Sequence, residues 1–410
     1  MTKNKLPFLE WVFILFFAFI CLNPKMNALI SMPIFLSLEL IYILYIIVVE
    51  SRLRAFVGGL ITCSMVIAMM YVFTTASVYI GQDADYRELK SFVTIFFSYL
   101  SLCFPILMTS RLLLYGSAFQ KKSILVILMT LLALVFYVTW DELSVNERIM
   151  KARMSSSLDD DGNALVGGYT FICACAVLLS SVFYAFRLCD HKILRLGLLL
   201  ITCFLLFFII RSLYTIALIA GVLGMLATIR IKNMRFFVPV IIALPYFFPL
   251  LLQWIINILG EGDIKYRMME IHSLLITGTL GEGDLAARMK LYGRGLVAFC
   301  SSPLWGNYSL GFNPHSTIIE LLASVGLLGF VPFVIILKKT FRQVQNIQPQ
   351  WSIASVFIVF LFMAMTNPIH ASLPLNITMW LFVPLLYDNV SLLNAKESYK
   401  PRRKYKVPNV

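Results

Sequence analysis

The chain consists of long apolar runs separated by short charged or turn-rich stretches. Several runs approach or exceed the roughly 20 apolar residues that an α-helix needs to cross a bilayer. They predict twelve spans, near residues 6–22, 28–49, 55–80, 91–109, 123–140, 164–186, 193–210, 212–229, 236–258, 316–337, 351–366 and 374–390. The pattern therefore predicts an all-α, polytopic integral membrane protein in which residues 1–410 form a single transmembrane domain.

The composition agrees with this interpretation. Hydrophobic residues make up 60% of the chain and charged residues 13%, which excludes an ordinary soluble domain of this length. The first apolar run resembles a signal peptide, but it is too long and no small-residue cleavage site follows it. We expect this run to be retained as the first span.

The charges predict the sidedness of the spans. Seven polar segments, the two termini included, carry 22 of the 34 basic residues but only four acidic ones. The positive-inside rule makes this side cytoplasmic, and the basic tail at 391–410 lies on it with the N-terminus. The excess of basic residues therefore sets topology and contacts anionic lipids, and no nucleic-acid partner is predicted.

The segment 259–315 forms a large loop on the opposite side and contains enough apolar and helical pattern to be ordered. Within LAARMKLYGRGLVAF, Arg288 and Tyr292 are four residues apart and share one helix face, while Lys290 and Arg294 share another. The repeated sequence GEGD precedes both Arg267 and Arg288, which places the two arginines at equivalent positions.

The apolar stretch 196–229 has 34 residues and one charge, Arg211, in its middle. A single helix of this length would be about 51 Å long, whereas the hydrocarbon core is about 30 Å thick. The stretch therefore predicts two short helices that meet near the outer surface, with Arg211 at the hinge. Arg211 either extends toward the interface from a helix end or binds an anion at the outer face.

Residues 309–326, SLGFNPHSTIIELLASVG, place His315 in a polar turn directly before an apolar helix. Asn313 or Ser316 can cap this helix, whose positive N-terminal end favours a neutral imidazole able to accept a proton. His315 is therefore either a general base or a helix-terminal residue bonded to the backbone. Glu320, in the first turns of the same helix, can orient His315 or border a polar cavity.

Signals for metals and nucleotides are weak. Asp83 with Asp85, and the run 159–161, are short acidic strings of a kind that is common by chance. The sequence contains no nucleotide-binding, dinucleotide-binding or zinc-protease signature, so neither a cofactor nor a metal site is predicted.

Three segments resemble motifs of the O-antigen ligase/polymerase superfamily of bacterial envelopes. They are IIRSLYTIALIAG, ARMKLYGRGLVAFCSSPLWG and HSTIIELLASVGLLG, which together occupy roughly residues 195–335. Each motif alone is weak, but their order, spacing and sidedness make the set more specific. The span count and the large loop before the histidine helix also agree with the family.

This resemblance implies a glycosyltransferase of GT-C-like architecture in the bacterial inner membrane, with its active site in the large periplasmic loop region. Its donor would be a glycan linked to undecaprenyl diphosphate, transferred with inversion and without a metal. Arg211 and Arg288 would stabilise the departing diphosphate and His315 would act as the base. Supporting contacts to the substrate are expected from Arg267, Arg294, Tyr292 and Glu320.

The resemblance leaves the acceptor open between two classes. A polymerase joins one lipid-linked repeat unit to another, whereas a ligase transfers the finished chain to lipid A-core. Only 26 residues separate Arg288 from His315, a shorter stretch than in typical ligases, and this favours the polymerase. A chain-length regulator and a flippase are the protein partners that such a polymerase would have.

A transporter with twelve spans is the alternative from another functional class, because Arg211 and Glu320 could line a path through the membrane. The two halves of the chain, however, show no matching pattern of broken helices, and the polar residues concentrate at the outer surface. A purely structural envelope protein would leave Arg211 without a role.

Overall fold

The computed structural model describes residues 5–23, 30, 32–79, 92–145, 168–212, 214–229, 246–247, 249–250, 252–254, 256–258, 263–277, 284–307, 316–347, 354–367, 369 and 372–398. Within these ranges the protein is all-helical and contains no strand, which confirms the predicted fold class at this level.

The helices follow the apolar runs closely. In chain order they are α1 (Phe8–Leu22), α2 (Met32–Val49), α3 (Ser51–Tyr79), α4 (Phe92–Cys103), α5 (Pro105–Tyr115), α6 (Ala118–Val145), α7 (Gly168–Leu188), α8 (Lys192–Arg211), α9 (Thr215–Thr228), α10 (Asp263–Thr277), α11 (Asp284–Ser301), α12 (Thr317–Ile347), α13 (Ala354–Thr366), α14 (Leu373–Ile377) and α15 (Val383–Ser398). A π-helical turn, Thr378–Phe382, joins α14 to α15.

Six helical stretches of the described chain are long and apolar enough to cross a membrane, and five shorter apolar helices accompany them. The long stretches are Ser51–Thr75, Phe92–Tyr115, Ala118–Asp141, Phe171–Leu188, Lys192–Arg211 and Thr317–Ile347. This set is compatible with a membrane-embedded protein, as the sequence predicted. The number of twelve spans stays a prediction, since most of the run at 236–258 lies outside the described residues.

Two of these stretches form the centre of the bundle. The apolar window of Phe92–Tyr115 is 78% buried inside the protein and that of Phe171–Leu188 is 72% buried, whereas that of Lys192–Arg211 is only 28% buried. Helix α7 packs against α8, α9 and α13, and α3 packs against α4 and α12. The window of Ala118–Asp141 is 39% buried, so α6 and α8 both present much of their surface to the outside.

A buried group of charges ties the first helices together. Arg111 on α5 donates from Nε to Oε1 of Glu10 at 2.9 Å and from Nη1 to Oε2 of Glu50 at 3.0 Å. Its Nη2 reaches the second Glu10 oxygen at 2.8 Å, and the hydroxyls of Tyr42 and Tyr45 also donate to this carboxylate. Arg111 is one of the 22 basic residues whose distribution predicts the cytoplasmic side, but the fold buries it between the carboxylates of Glu10 and Glu50.

The predicted break in the stretch 196–229 is present. Helix α8 ends at Arg211 and α9 begins at Thr215, so the two apolar helices are separate elements with Arg211 at the end of the first. At 1.5 Å per residue, the 14 residues of α9 span about 21 Å, less than the hydrocarbon core.

The burial of Arg111 predicts a large stability effect. Arg111→Met would leave Glu10 and Glu50 buried without their cation, and we expect the free energy of unfolding to fall by about 3–5 kcal/mol. Unfolding of the purified protein in mixed detergent micelles measures this change.

The matched control is Lys121→Met, which removes the 3.2 Å ion pair with Asp388. This pair is more accessible, its side chains being 15% and 21% exposed against 5% and 2% for Arg111 and Glu10, so a smaller loss than for Arg111→Met is expected. Equal losses for the two substitutions would contradict the assignment of the Arg111 group as a buried network.

Candidate functional site

Arg211 lies where α8 ends and is partly buried. Its Nη2 donates a hydrogen bond to the backbone carbonyl of Leu143, near the end of α6. The next residue, Ser212, closes α8 with a backbone bond to the Phe208 carbonyl at 2.9 Å and a hydroxyl bond to the Ile209 carbonyl at 2.7 Å. The helix break therefore holds the guanidinium beside the end of α6.

The chain beyond this break is tied to another helix end. Tyr214, the residue before α9, donates its hydroxyl hydrogen bond to Oδ1 of Asn367. Asn367 directly follows α13, and its own N–H completes that helix by bonding to the Met363 carbonyl at 2.8 Å. The segment that carries Arg211 is thus fixed to the C-terminal end of α13.

Arg288 and Tyr292 share the inner face of α11. Both are partly buried, and Nη1 of Arg288 is inaccessible to solvent, whereas Lys290 and Arg294 are exposed. The Tyr292 hydroxyl donates to the backbone carbonyl of Thr366 at 3.4 Å. The division of this helix into two faces agrees with the prediction from residue spacing, and its inner face also meets the end of α13.

The start of α12 also binds this helix end, through several hydrogen bonds. Thr317 donates from its backbone N–H and its hydroxyl to the Asn367 carbonyl, at 3.1 and 3.0 Å, and accepts from the Ile369 N–H at 2.9 Å. Ser316 accepts from the Ile319 N–H at 3.2 Å and donates to the Ala364 carbonyl at 3.3 Å. Ser316 is therefore the helix cap, one of the two residues predicted for that role.

His315 itself lies outside the described residues, as do Asp83, Asp85 and the acidic run 159–161. Its role as a base stays a prediction. The next residue along the chain, Ser316, contacts α13.

The remaining predicted residues do not all share this location. Glu320 lies on α12, one turn after Thr317, and is buried. Arg294 is on the exposed face of α11, and Arg267 belongs to α10, where its side chain is not described.

These contacts define what we call the α13 junction, formed by Thr366 and Asn367. Tyr214 lies three residues after Arg211, Tyr292 one helical turn after Arg288, and Thr317 two residues after His315. All three tie to the junction. The structure thereby brings the three motif segments to one place. Tyr292 was predicted as a site residue, whereas Tyr214, Thr317 and the junction residues were not.

The sequence contained only a modest signal for the junction residues, which were not predicted as part of the site. Thr366 and Asn367 belong to TNPIH, a polar turn directly after the apolar run of α13. A polar turn of this kind marks a helix end, but nothing local indicates which other segments it binds.

Gly326, in the motif HSTIIELLASVGLLG, has a structural role. Helix α12 is broken at Gly326, whose φ of 59° and ψ of −161° are essentially restricted to glycine. The break frees the N–H groups of Leu327 and Leu328, which donate to the carbonyls of Pro303 and Leu304 at 2.9 and 3.1 Å. A Cβ on Gly326 would lie 2.5 Å from backbone atoms of Leu304, so the two chain segments touch backbone to backbone.

A comparison with protein-family models and with curated proteins finds no match for this chain.

The backbone contact at Gly326 yields a prediction about stability. Gly326→Ala introduces a Cβ that clashes with backbone and forces a strained conformation, so we expect a loss of about 1–3 kcal/mol in the free energy of unfolding. Gly293→Ala on α11 is the control, because a Cβ there meets nothing within 4 Å and alanine favours the helix by up to about 1 kcal/mol. Unfolding in mixed micelles compares the two, and an unchanged Gly326 variant would refute the backbone contact.

Proposed function

We propose that this protein is an O-antigen polymerase of the bacterial inner membrane, with both termini in the cytoplasm and its active site on the periplasmic side. It joins oligosaccharide repeat units that are carried on undecaprenyl diphosphate. The observation that carries the proposal is the α13 junction, because it ties together the segments of Arg211, Arg288 and His315. Three segments that act on one substrate must be held at fixed positions relative to one another, and shared contacts with the α13 junction provide this.

The proposed chemistry is an inverting glycosyl transfer. A hydroxyl of the acceptor glycan attacks the anomeric carbon of the donor, the bond from that carbon to the diphosphate oxygen breaks, and the diphosphate leaves with the electron pair. His315 takes the proton of the attacking hydroxyl. Arg211 and Arg288 stabilise the negative charge on the leaving diphosphate through charge-assisted hydrogen bonds.

The positions of Arg211 and Arg288 support their assignment to the leaving diphosphate. Arg211 is partly buried at a helix end. Arg288 is on the inner face of α11, one helical turn before Tyr292. Partly buried guanidinium groups interact with phosphate more strongly than exposed ones, because water screens them less. Arg267 and Arg294 take supporting roles toward the glycan, and the metal-independent reaction requires no cofactor.

The role of the inner face of α11 is tested by a pair of substitutions on that helix. Arg288→Ala should lower the amount of long-chain glycan about 100-fold or more, the effect of removing one preorganised donor to a leaving group. Lys290→Ala removes a cation from the exposed face two residues away and should leave chain length unchanged. Gel analysis of lipopolysaccharide, with membrane protein levels measured in parallel, reads out both; equal effects would reject the assignment.

His315→Ala provides a separate test of the base. It should abolish long-chain glycan while the protein level in the membrane stays that of the wild type, because the acceptor hydroxyl loses its proton acceptor. Retention of wild-type chain length would reduce His315 to a residue of the turn that precedes α12.

Deletion of the gene separates the two acceptor classes. A polymerase mutant should make lipopolysaccharide whose core carries a single repeat unit, since ligation still proceeds. Naked core with polymer accumulating on undecaprenyl diphosphate would instead identify a ligase. Normal lipopolysaccharide and surface glycan would reject both.

A further inference from the structure

An apolar groove runs along the outside of the bundle between α6, α8 and α15. It encloses about 800 Å³ and extends along α6 from Lys122 to Trp140. At 1.5 Å per residue this distance is about 27 Å, close to the roughly 30 Å thickness of a hydrocarbon core. The groove therefore has the length of a lipid chain that lies across the membrane.

The side chains that line the groove suit hydrocarbon. Apart from Lys122, Asn389 and the polar tips of Tyr137 and Trp140, all of them are apolar. Many are accessible from the side, Phe207 being 56% exposed and Val126 51% exposed. A chain can therefore enter laterally from the bilayer without crossing a polar surface.

One position of α8 in the groove carries no side chain. Gly197 lies in its wall, and a Cβ built there would meet no atom within 4 Å. The missing side chain leaves room for a guest along the first turns of α8, where a large residue would obstruct the groove.

One end of the groove leads to Arg211. The lining residue Phe207 precedes Arg211 by one helical turn on α8, and the lining residue Trp140 precedes Leu143 by three residues on α6. Since Arg211 donates to the Leu143 carbonyl, its guanidinium joins the two helices just beyond this end. The planar guanidinium of Arg211 suits phosphate oxygens, which it can bind through two parallel hydrogen bonds.

The opposite end also carries positive charge, so the groove could be entered by a lipid in either direction. Lys122 lines that end, beside the ion pair of Lys121 and Asp388. Lysine is a mobile, strongly hydrated charge, whereas Arg211 is held at a helix end whose chain continues to the α13 junction. Continuity with the candidate site therefore favours a lipid whose phosphate lies at Arg211.

We infer that the groove between α6, α8 and α15 holds the polyprenyl chain of the lipid-diphosphate donor, with the diphosphate at Arg211. This inference rests on the proposed function for the identity of the lipid. The chain lies along Gly197 toward Lys122, and the reacting end points to the α13 junction.

The test uses the full-length protein in nanodiscs and a polyprenyl phosphate that carries a photoreactive group in its chain. Cross-linked positions are mapped by mass spectrometry, and labelling is expected on groove residues of α6 and α8, such as Met129 and Ile201. A phosphatidylglycerol with the same photoreactive group serves as the second probe.

Two substitutions on α8 make the test specific. Gly197→Trp places a large ring in the groove and should reduce polyprenyl labelling about tenfold, a loss equivalent to one decade of affinity. Leu200→Trp places the same ring at a position whose leucine is 62% exposed and does not line the groove. Labelling of this variant should therefore persist. A normal elution profile of each variant on gel filtration establishes that it is folded.

Three results would overturn the inference. They are no groove labelling by the polyprenyl probe, equal sensitivity of labelling to the two tryptophans, and equal groove labelling by the phosphatidylglycerol probe. The binding readout does not depend on catalysis. Groove labelling in a protein whose deletion leaves lipopolysaccharide and surface glycan normal would refute the proposed function while the lipid site stands, and the converse pattern would refute only the groove.

Discussion

The candidate site depends on the contact between Thr317 and Asn367. The backbone N–H and the hydroxyl of Thr317 both donate hydrogen bonds to the Asn367 carbonyl. A helix end leaves several backbone groups without partners, and a membrane-embedded chain finds little water to replace them. Here the C-terminal end of α13 and the N-terminal end of α12 satisfy each other. Two helix ends that would each be costly alone thus become one rigid junction, and the neighbouring tyrosines attach to it.

The same constraint explains why the polar features of this protein coincide with interruptions of helices. Irregular backbone at membrane depth is tolerated only where other protein groups satisfy it. The break after Arg211 is closed by Ser212 and by the bond to Leu143, and the break at Gly326 is closed by the segment of Pro303 and Leu304. Each interruption therefore requires a specific partner, and these requirements fix the arrangement of the motif segments more tightly than apolar packing alone.

Local pattern was enough to predict some of these features. The break between α8 and α9 follows from the length of an apolar run with one arginine, and the inner face of α11 follows from the four-residue spacing of Arg288 and Tyr292. Pairings across the chain were not predictable, because Tyr214 finds Asn367 over 153 residues and Arg111 finds Glu10 over 101 residues. Gly326 was also hidden, since an apolar run with a central glycine has the same pattern as an unbroken helix.

Under the proposed function, Arg211 has to serve two environments at once. The leaving group is charged and hydrated, whereas the chain attached to it is hydrocarbon, so the residue that binds the diphosphate must lie where an apolar surface ends. An arginine at the end of α8 meets this requirement, because Phe207 below it lines the groove and Tyr214 beyond it contacts the α13 junction. Placing the charge deeper in α8 would incur a desolvation cost, and placing it in a free loop would lose its orientation. The helix break is thus the position at which one guanidinium can address both parts of a lipid diphosphate.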